Sequence, residues 1–196
     1  MKNSIKGFVY LCIITLFTAC SFKPTSLEIN QYAINFKLKE NKFNSTLHEV
    51  YIEEPSVNKS FNNRSIFYTT KAYQFEEYAL NKWINKPSDM IYNNLFEAFE
   101  ASNIYKTVLK EKRKDDFAYV LKTDVIDIYN SVENDKSYAV LKVKFYLQMN
   151  KENIKTYTYD KKIQALSNTP YGFVVAINEA FEESVNDWIL EISKLR

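Results

Sequence analysis

From residue 27 onward, short stretches of period-two alternation are interrupted by two longer stretches of helical spacing. Ile29–Leu38, Leu47–Glu53, Ser65–Thr70 and Tyr73–Tyr78 read as strands, rich in aromatic and β-branched residues, the last two close enough to form a hairpin. Lys39–Ser45 reads as a polar turn and 56–64 as a loop. A helix is predicted from Pro87, whose missing amide hydrogen does no harm in a first turn, with Ser88 and Asp89 beside it. Ile91, Leu95, Ala98, Phe99 and Ser102 form its inner stripe, and Asn103–Leu109 follows as a short strand.

A meander comes next. Phe117–Tyr129, Tyr138–Met149 and Ile154–Ala165 are predicted strands, joined by polar turns at 130–136 and 150–153. In the middle strand Ala139, Leu141, Val143, Phe145, Leu147 and Met149 share one face, while Lys142, Lys144 and Gln148 share the other, so one side of this sheet is wet. The last helix starts at Pro170 with Thr169 as N-cap. Its stripe is Phe173, Ile177, Ala180, Phe181, Ser184, Trp188, Ile192 and Leu195. The succession implies an α+β two-layer sandwich: a mainly antiparallel sheet with two helices packed on one face.

The first residues follow a different pattern. Lys2 and Lys6 precede an apolar run of eleven residues, Gly7–Phe17, broken only by Thr15. A helix of that length rises roughly 16 Å, about half a bilayer's hydrocarbon thickness. A basic start, a short apolar stretch and small residues after it are the parts of a secretory signal. Phe17-Thr18-Ala19-Cys20 resembles the bacterial lipobox, with Phe17 where leucine is usual. That resemblance implies cleavage after Ala19, a diacylglycerol on the Cys20 thiol, and an acyl chain such as palmitate on the new amino group. Residues 1–19 are then a lipoprotein-type signal peptide, 20–27 a lipidated tether, and 28–196 a single periplasmic domain. Several acyl chains anchor far more firmly than one. Ser21, rather than Asp, follows the cysteine; by the sorting habit of enterobacterial lipoproteins this favours the outer membrane, with the body facing the periplasm.

Removing the signal leaves 177 residues, enough for one domain with a substantial core. It also removes Lys2 and Lys6, leaving 24 basic against 24 acidic residues. That balance lacks the positive excess of a nucleic-acid binder. Cys12 leaves with the signal and Cys20 carries lipid, so no intrachain disulfide is expected, and packing by the 15 tyrosines and 14 phenylalanines must suffice. Only Gly7 and Gly172 are glycines, which excludes phosphate-cradling glycine loops.

Candidates for chemistry are few. His48 is the single histidine, sits in an alternating strand and has no partner cysteine, so it reads as structural or surface. Adjacent carboxylates occur at Glu53-Glu54, Glu76-Glu77, Asp115-Asp116 and Glu182-Glu183. Neighbours on a strand point to opposite faces and on a helix diverge by about 100°, so none is a ready acid–base pair. Lys110–Asp116 ("KEKRKDD") reads as an exposed loop between strands. Tyr68, Tyr73, Phe75, Tyr78 and Trp83 are candidates either for core or for a lipid groove. Neither catalytic residues, nor a metal site, nor a cofactor is expected, and the chain is not expected to be an enzyme.

The order of these segments is similar to that of the auxiliary lipoproteins of ABC-type transport systems, which accompany phospholipid-handling MCE (Mla-like or paraquat-inducible type) transporters. The resemblance rests on an aromatic strand at Tyr73–Tyr78, Trp83, the helix led by Pro87, and Ser102-Asn103 before a short strand at Ile104. It extends to the opening "QYAINF", the paired "AYVLKTDVIDIY" and "YAVLKVKFYLQ", and a last helix carrying Ala176, Ala180 and Trp188. It implies an outer-membrane-anchored component that docks an MCE-type periplasmic subunit and helps maintain outer-membrane lipid homeostasis. Phospholipid as a ligand and self-assembly into a ring suit such a role. A rival from another class is a stand-alone envelope lipoprotein that binds or activates a factor in cell-wall or outer-membrane assembly. For the anchor, Cys20→Ala should leave a precursor that retains residues 1–19 and takes up no acyl label. Unchanged acyl labelling of the variant would refute the lipobox reading.

Overall fold

The computed structural model describes residues 27–38, 43, 47–111, 119–149 and 153–195. Nine strands form one sheet, β1 (Asn30–Tyr32), β2 (Leu47–Ile52), β3 (Ser56–Val57), β4 (Ser65–Lys71), β5 (Gln74–Trp83), β6 (Tyr105–Leu109), β7 (Tyr119–Glu133), β8 (Lys136–Met149) and β9 (Asn153–Gln164). Among the described residues two helices complete it, α1 (Pro87–Ser102) after β5 and α2 (Pro170–Ser193) after β9.

The long meander forms the spine. β7 and β8 pair antiparallel from Tyr119↔Met149 to Glu133↔Lys136, and β8 pairs antiparallel with β9 over its full length. The turn between β7 and β8 is only Asn134-Asp135, both at positive φ, the conformation that two-residue hairpins need for their twist. The polar stretch 130–136, expected to be a turn, is therefore mostly strand. It stays in the ladder because Asn130 and Ser137 hydrogen-bond each other in the interior (Oγ to Oδ1, 2.7 Å).

The other edge of β7 is tiled by three strands laid end to end. β2 pairs with Tyr119–Leu121, β3 with Asp124-Val125 and β4 with Asn130-Ser131, all parallel to β7. β6 extends the sheet beyond β2 in parallel; β5 extends it beyond β4 as the expected hairpin, with β1 parallel to β5 at the margin. The sheet is therefore mixed: its long ladders, β4–β5, β7–β8 and β8–β9, are antiparallel as the tight turns suggested, and short parallel pairings join the other strands to them. The reason is the connections: β2 and β3 are consecutive pieces of one strand run bent at Pro55, so both approach β7 in the same direction.

Alternation holds where it was predicted. Ala139, Leu141, Val143, Phe145 and Leu147 of β8 are buried, while Met149 is half-buried at the strand end. In β7 a bulge between Val125 and Asp127 adds one residue, so the inward set changes parity from Leu121, Thr123 and Val125 to Ile128 and Asn130. α1 begins at Pro87 and buries the whole expected stripe. No side chain of its own caps it; instead Asn62 Oδ1, from the loop before β4, accepts from the Ser88 amide at 3.1 Å. Asn103 closes it in the left-handed conformation. α2 is capped as predicted, Thr169 Oγ1 accepting from the Gly172 amide at 3.0 Å, worth typically ~1 kcal/mol. Gly172 has no room for a side chain: a Cβ there would run into the Ser167 carbonyl.

α2 packs on β8 and β9, and α1 on β6, β3 and α2. The three layers of contact meet at Trp188. Its ring stacks on Phe145 of the sheet (centroids 4.3 Å apart, planes within 5°) and receives the edge of Phe99 of α1 at 5.1 Å.

The opening segment departs most from expectation. Only Asn30–Tyr32 of the predicted strand 29–38 is in the sheet; Ala33–Leu38 leaves it and crosses the helices. Ile34 and Phe36 point inward, Phe36 stacking on Phe181 at 5.6 Å. Side chains replace the missing strand partner. Asn178 of α2 accepts from the Asn35 amide (2.6 Å) and donates to the Ala33 carbonyl (3.2 Å); Asn94 of α1 accepts from the Phe36 amide (3.0 Å) and donates to the Ile34 carbonyl (3.0 Å). Replacing either Asn94 or Asn178 by Ala should cost about 1–3 kcal/mol, because each removes partners from a backbone that has no ladder. Denaturant unfolding of the two single variants and the double variant checks this, with the double variant less than additive since both grip one segment.

Candidate functional site

Two grooves open on the face of the sheet away from the helices. The first lies where the β4–β5 turn meets the β7–β8 turn. Because β4 and β7 run parallel, their C-terminal ends, and so both hairpin turns, fall at the same end of the molecule. A cavity of about 240 Å³ there is walled by Thr69, Lys71, Tyr73, Phe75, Tyr129 and Glu133. Its floor is a cluster of rings. Phe75 meets Tyr129 edge-on at 5.0 Å, and Phe61 touches Phe67, Phe75 and Tyr129 at 5.6, 5.6 and 6.0 Å. Phe61 is buried although it sits in the polar loop 56–64, where it is the single aromatic residue and pins the loop to the sheet.

Charge frames this groove on one side. Glu133 accepts both carboxylate hydrogen bonds from Lys162 Nζ at 2.8 Å and a third from Ser131 Oγ at 2.7 Å, and Lys162 lies 4.7 Å from the Tyr138 ring centre. The Lys162 ammonium first, then the Ser131 hydroxyl, hold the Glu133 carboxyl below the usual range.

The second groove, about 200 Å³, lies at mid-sheet between the bend at Pro55 and the start of β9. Glu53 pairs with Lys122 at 3.2 Å along one wall; Asp124, Tyr146, Gln148 and the exposed Ile154 form the rest. Burial first, then a hydrogen bond from its hydroxyl to Asp124, raise the Tyr146 phenol. Both volumes fall below the ~300–1,000 Å³ of sites that enclose small molecules. These are surface recesses of aromatic faces and flanking charges, suited to contact with a larger body.

The aromatic candidates divide. Trp83 is core, 6.1 Å from Phe173 of α2. Tyr68 and Tyr78 pack against each other at 4.5 Å in the interior-facing layer, where Tyr78 Oη accepts from Asn130 Nδ2 at 2.7 Å. Tyr73 and Phe75 are exposed and belong to the hairpin-end groove. His48 is exposed on β2. Of the adjacent carboxylates, Glu53 pairs with Lys122, Glu76 with the Tyr68 hydroxyl, Glu77 with the Ser65 hydroxyl and Glu183 with Lys161. Of "KEKRKDD", Lys110 lies 4.4 Å above the Phe96 ring and donates to Asn93. Cys20 and Asp115-Asp116 fall outside the described residues.

Tyr129, Glu133 and Lys162 were not singled out by sequence. Tyr129 and Lys162 lie in one row of the meander, both beside Val140; their meeting with Tyr73 and Phe75 depends on β4 reaching β7, a pairing that no local pattern encodes. Among the described residues no helix is long and apolar enough to cross a membrane, and no three or more His, Cys, Asp and Glu residues group as metal ligands.

No family model and no curated protein matches the chain. Solved structures do. A Xanthomonas campestris protein of family DUF330 superposes with a TM-score of 0.70 at 14% identity, over 82% of this chain and 92% of its own. An uncharacterised protein gives 0.68 at 13% identity, over 84% of this chain and 99% of its own. The fold is thus shared with both.

Lys162→Met should return the Glu133 carboxyl toward the ordinary glutamate range. A carboxyl held low stabilises the fold above that range and loses its contribution as pH falls through its own pKa, so the variant's acid limb should be flatter. Carboxyl-carbon NMR titration measures the first effect and acid denaturation the second.

Proposed function

We propose that this protein is a lipid-anchored envelope component that docks an MCE-type subunit of an ABC phospholipid transport system, with a binding rather than a catalytic role. The observation that carries the reading is the order of elements behind a lipobox-like Cys20. An aromatic strand leads to the buried Trp83, a proline-led helix, a short strand after Ser102-Asn103, the long hairpin β7–β8, and a closing helix with Trp188 at its core. That order is the one the auxiliary lipoproteins resemble. The two-layer α+β body and its open, ring-lined recesses support a docking role, since they offer contact area without enclosing a ligand.

The mechanism is tethering. Acyl chains on Cys20 hold the domain to the outer membrane, and a face of the sheet engages the periplasmic partner. Affinity capture of the acylated protein from solubilised envelopes should return the permease, the ATPase and the MCE subunit together. Recovery of cell-wall synthases with no MCE subunit would overturn the transport reading in favour of a stand-alone assembly factor.

A further inference from the structure

The chain enters β1 from a definite direction. β1 runs parallel to β5, with Asn30 beside Asn81 and Tyr32 beside Trp83. β5 in turn starts at the Ala72-Tyr73 turn. The segment before β1 therefore comes from the end of the molecule that carries both hairpin turns. Gln164, the last residue of β9, pairs with Tyr138 near the start of β8, so the loop between β9 and α2 lies at this end too.

Two separate pieces of chain expose large apolar side chains here. Tyr73 at the β4–β5 turn is fully exposed and Leu166 in the loop before α2 is 97% exposed, with Phe75 half out beside Tyr73. Scattered exposed apolar residues are ordinary. Here they cap the tips of neighbouring loops at one end. Lys71 and Lys136 are exposed beside the two turns, among Glu133 and Asp135. Tyrosine at such a tip, apolar in body and polar at its end, with lysines around it, is the composition of a surface that meets the lipid headgroup layer.

We infer that this hairpin end, bearing Tyr73, Leu166 and Phe75, rests in the interface of the lipid bilayer. The inference builds on the reading of Cys20 as the lipid attachment point. Only six residues separate Cys20 from Leu27, and fully extended they reach about 20 Å. Since the chain arrives from the hairpin end, the anchor draws that end to the membrane. β7, at ~3.3 Å per residue, holds the opposite end up to about 46 Å away. The far end carries the start of β7, where Val50 sits beside both Tyr119 and Val108 of β6.

The full-length protein, matured in cells, tests this directly, because Cys12 leaves with the signal and an acylated Cys20 leaves no free thiol. Single variants Tyr73→Cys, Leu166→Cys and Lys106→Cys (the last in β6 at the far end) take a polarity-sensitive dye and are reconstituted in phosphatidylethanolamine–phosphatidylglycerol vesicles. Circular dichroism confirms that each variant is folded. The dyes at 73 and 166 should shift to the blue and lose at least about half their emission to spin-labelled lipid, while the dye at 106 stays in water and unquenched. Dyes at 73 and 166 as wet as that at 106, or dry but unquenched by lipid because protein covers them, overturn the inference. Intact mass separates the two readings. A protein acylated at Cys20 with wet tips refutes the membrane-facing end alone; an unacylated protein refutes the anchor, and lipid quenching at 73 and 166 in a Cys12→Ser, Cys20→Ser background would still uphold the surface.

Discussion

The stack of Phe145, Trp188 and Phe99 is the contact on which the other parts depend. It joins the sheet, α2 and α1 within one set of rings, parallel against the strand and edge-on against the helix. Without it α1 would rest on β6, a marginal strand, and on the two residues of β3. The choice of ring has a cost, because the buried indole N–H has no hydrogen-bond acceptor among the described residues, and neither has the hydroxyl of nearby Tyr105. An unsatisfied buried donor costs ~1–3 kcal/mol, against ~3–5 kcal/mol for emptying a buried tryptophan site. Area and stacking outweigh the orphan donor, so tryptophan is tolerated there.

β7 plays the corresponding part in the sheet. One of its edges is occupied along its length by β8, with one bulge, and the other is divided among β2, β3 and β4. The sheet accordingly forks into two wings, β2–β6 and β4–β5–β1, bridged covalently by α1 between β5 and β6 and by the β3 run between β2 and β4. The bulge at Ile126 lies between the β3 and β4 registers. The parity switch lets Leu121 in one wing and Ile128 in the other both face the helices while the strand bends. The recesses on the outer face follow from the same division: one lies beside the β2–β3 bend and the other beside the β4–β5 turn.

Legibility in the sequence tracked how local the cause was. α2, α1 and β8 could be read because one inward stripe fixes each of them whatever it packs on, and Thr169 caps α2 from the residue before Pro170. The Ala33–Leu38 segment misled because its alternation is real: Ile34 and Phe36 do point inward. Its hydrogen-bond partners, however, are Asn94 and Asn178, polar residues on two helices far along the chain. The parallel pairings of β2, β3 and β4 with β7 left no periodic trace, which is why only the antiparallel ladders of the sheet were foreseen. Of the recess residues, Tyr73 and Phe75 drew notice as aromatics, while Phe61 was concealed by its polar loop and Tyr129 by its strand. Glu76 and Glu77, adjacent in sequence, turn to different partners, the Tyr68 and Ser65 hydroxyls.

The path of the opening segment also has a mechanical meaning. Because β1 runs parallel to β5 and away from the hairpin end, tension applied from the N-terminal side acts along the strand. Its three registers with β5 are then loaded together in shear, instead of being peeled one by one. Beyond them the same tension meets the side-chain clamps of Asn94 and Asn178 and the wedged rings of Phe36 and Phe181. A load from the N-terminal side is thereby passed to both helices at once.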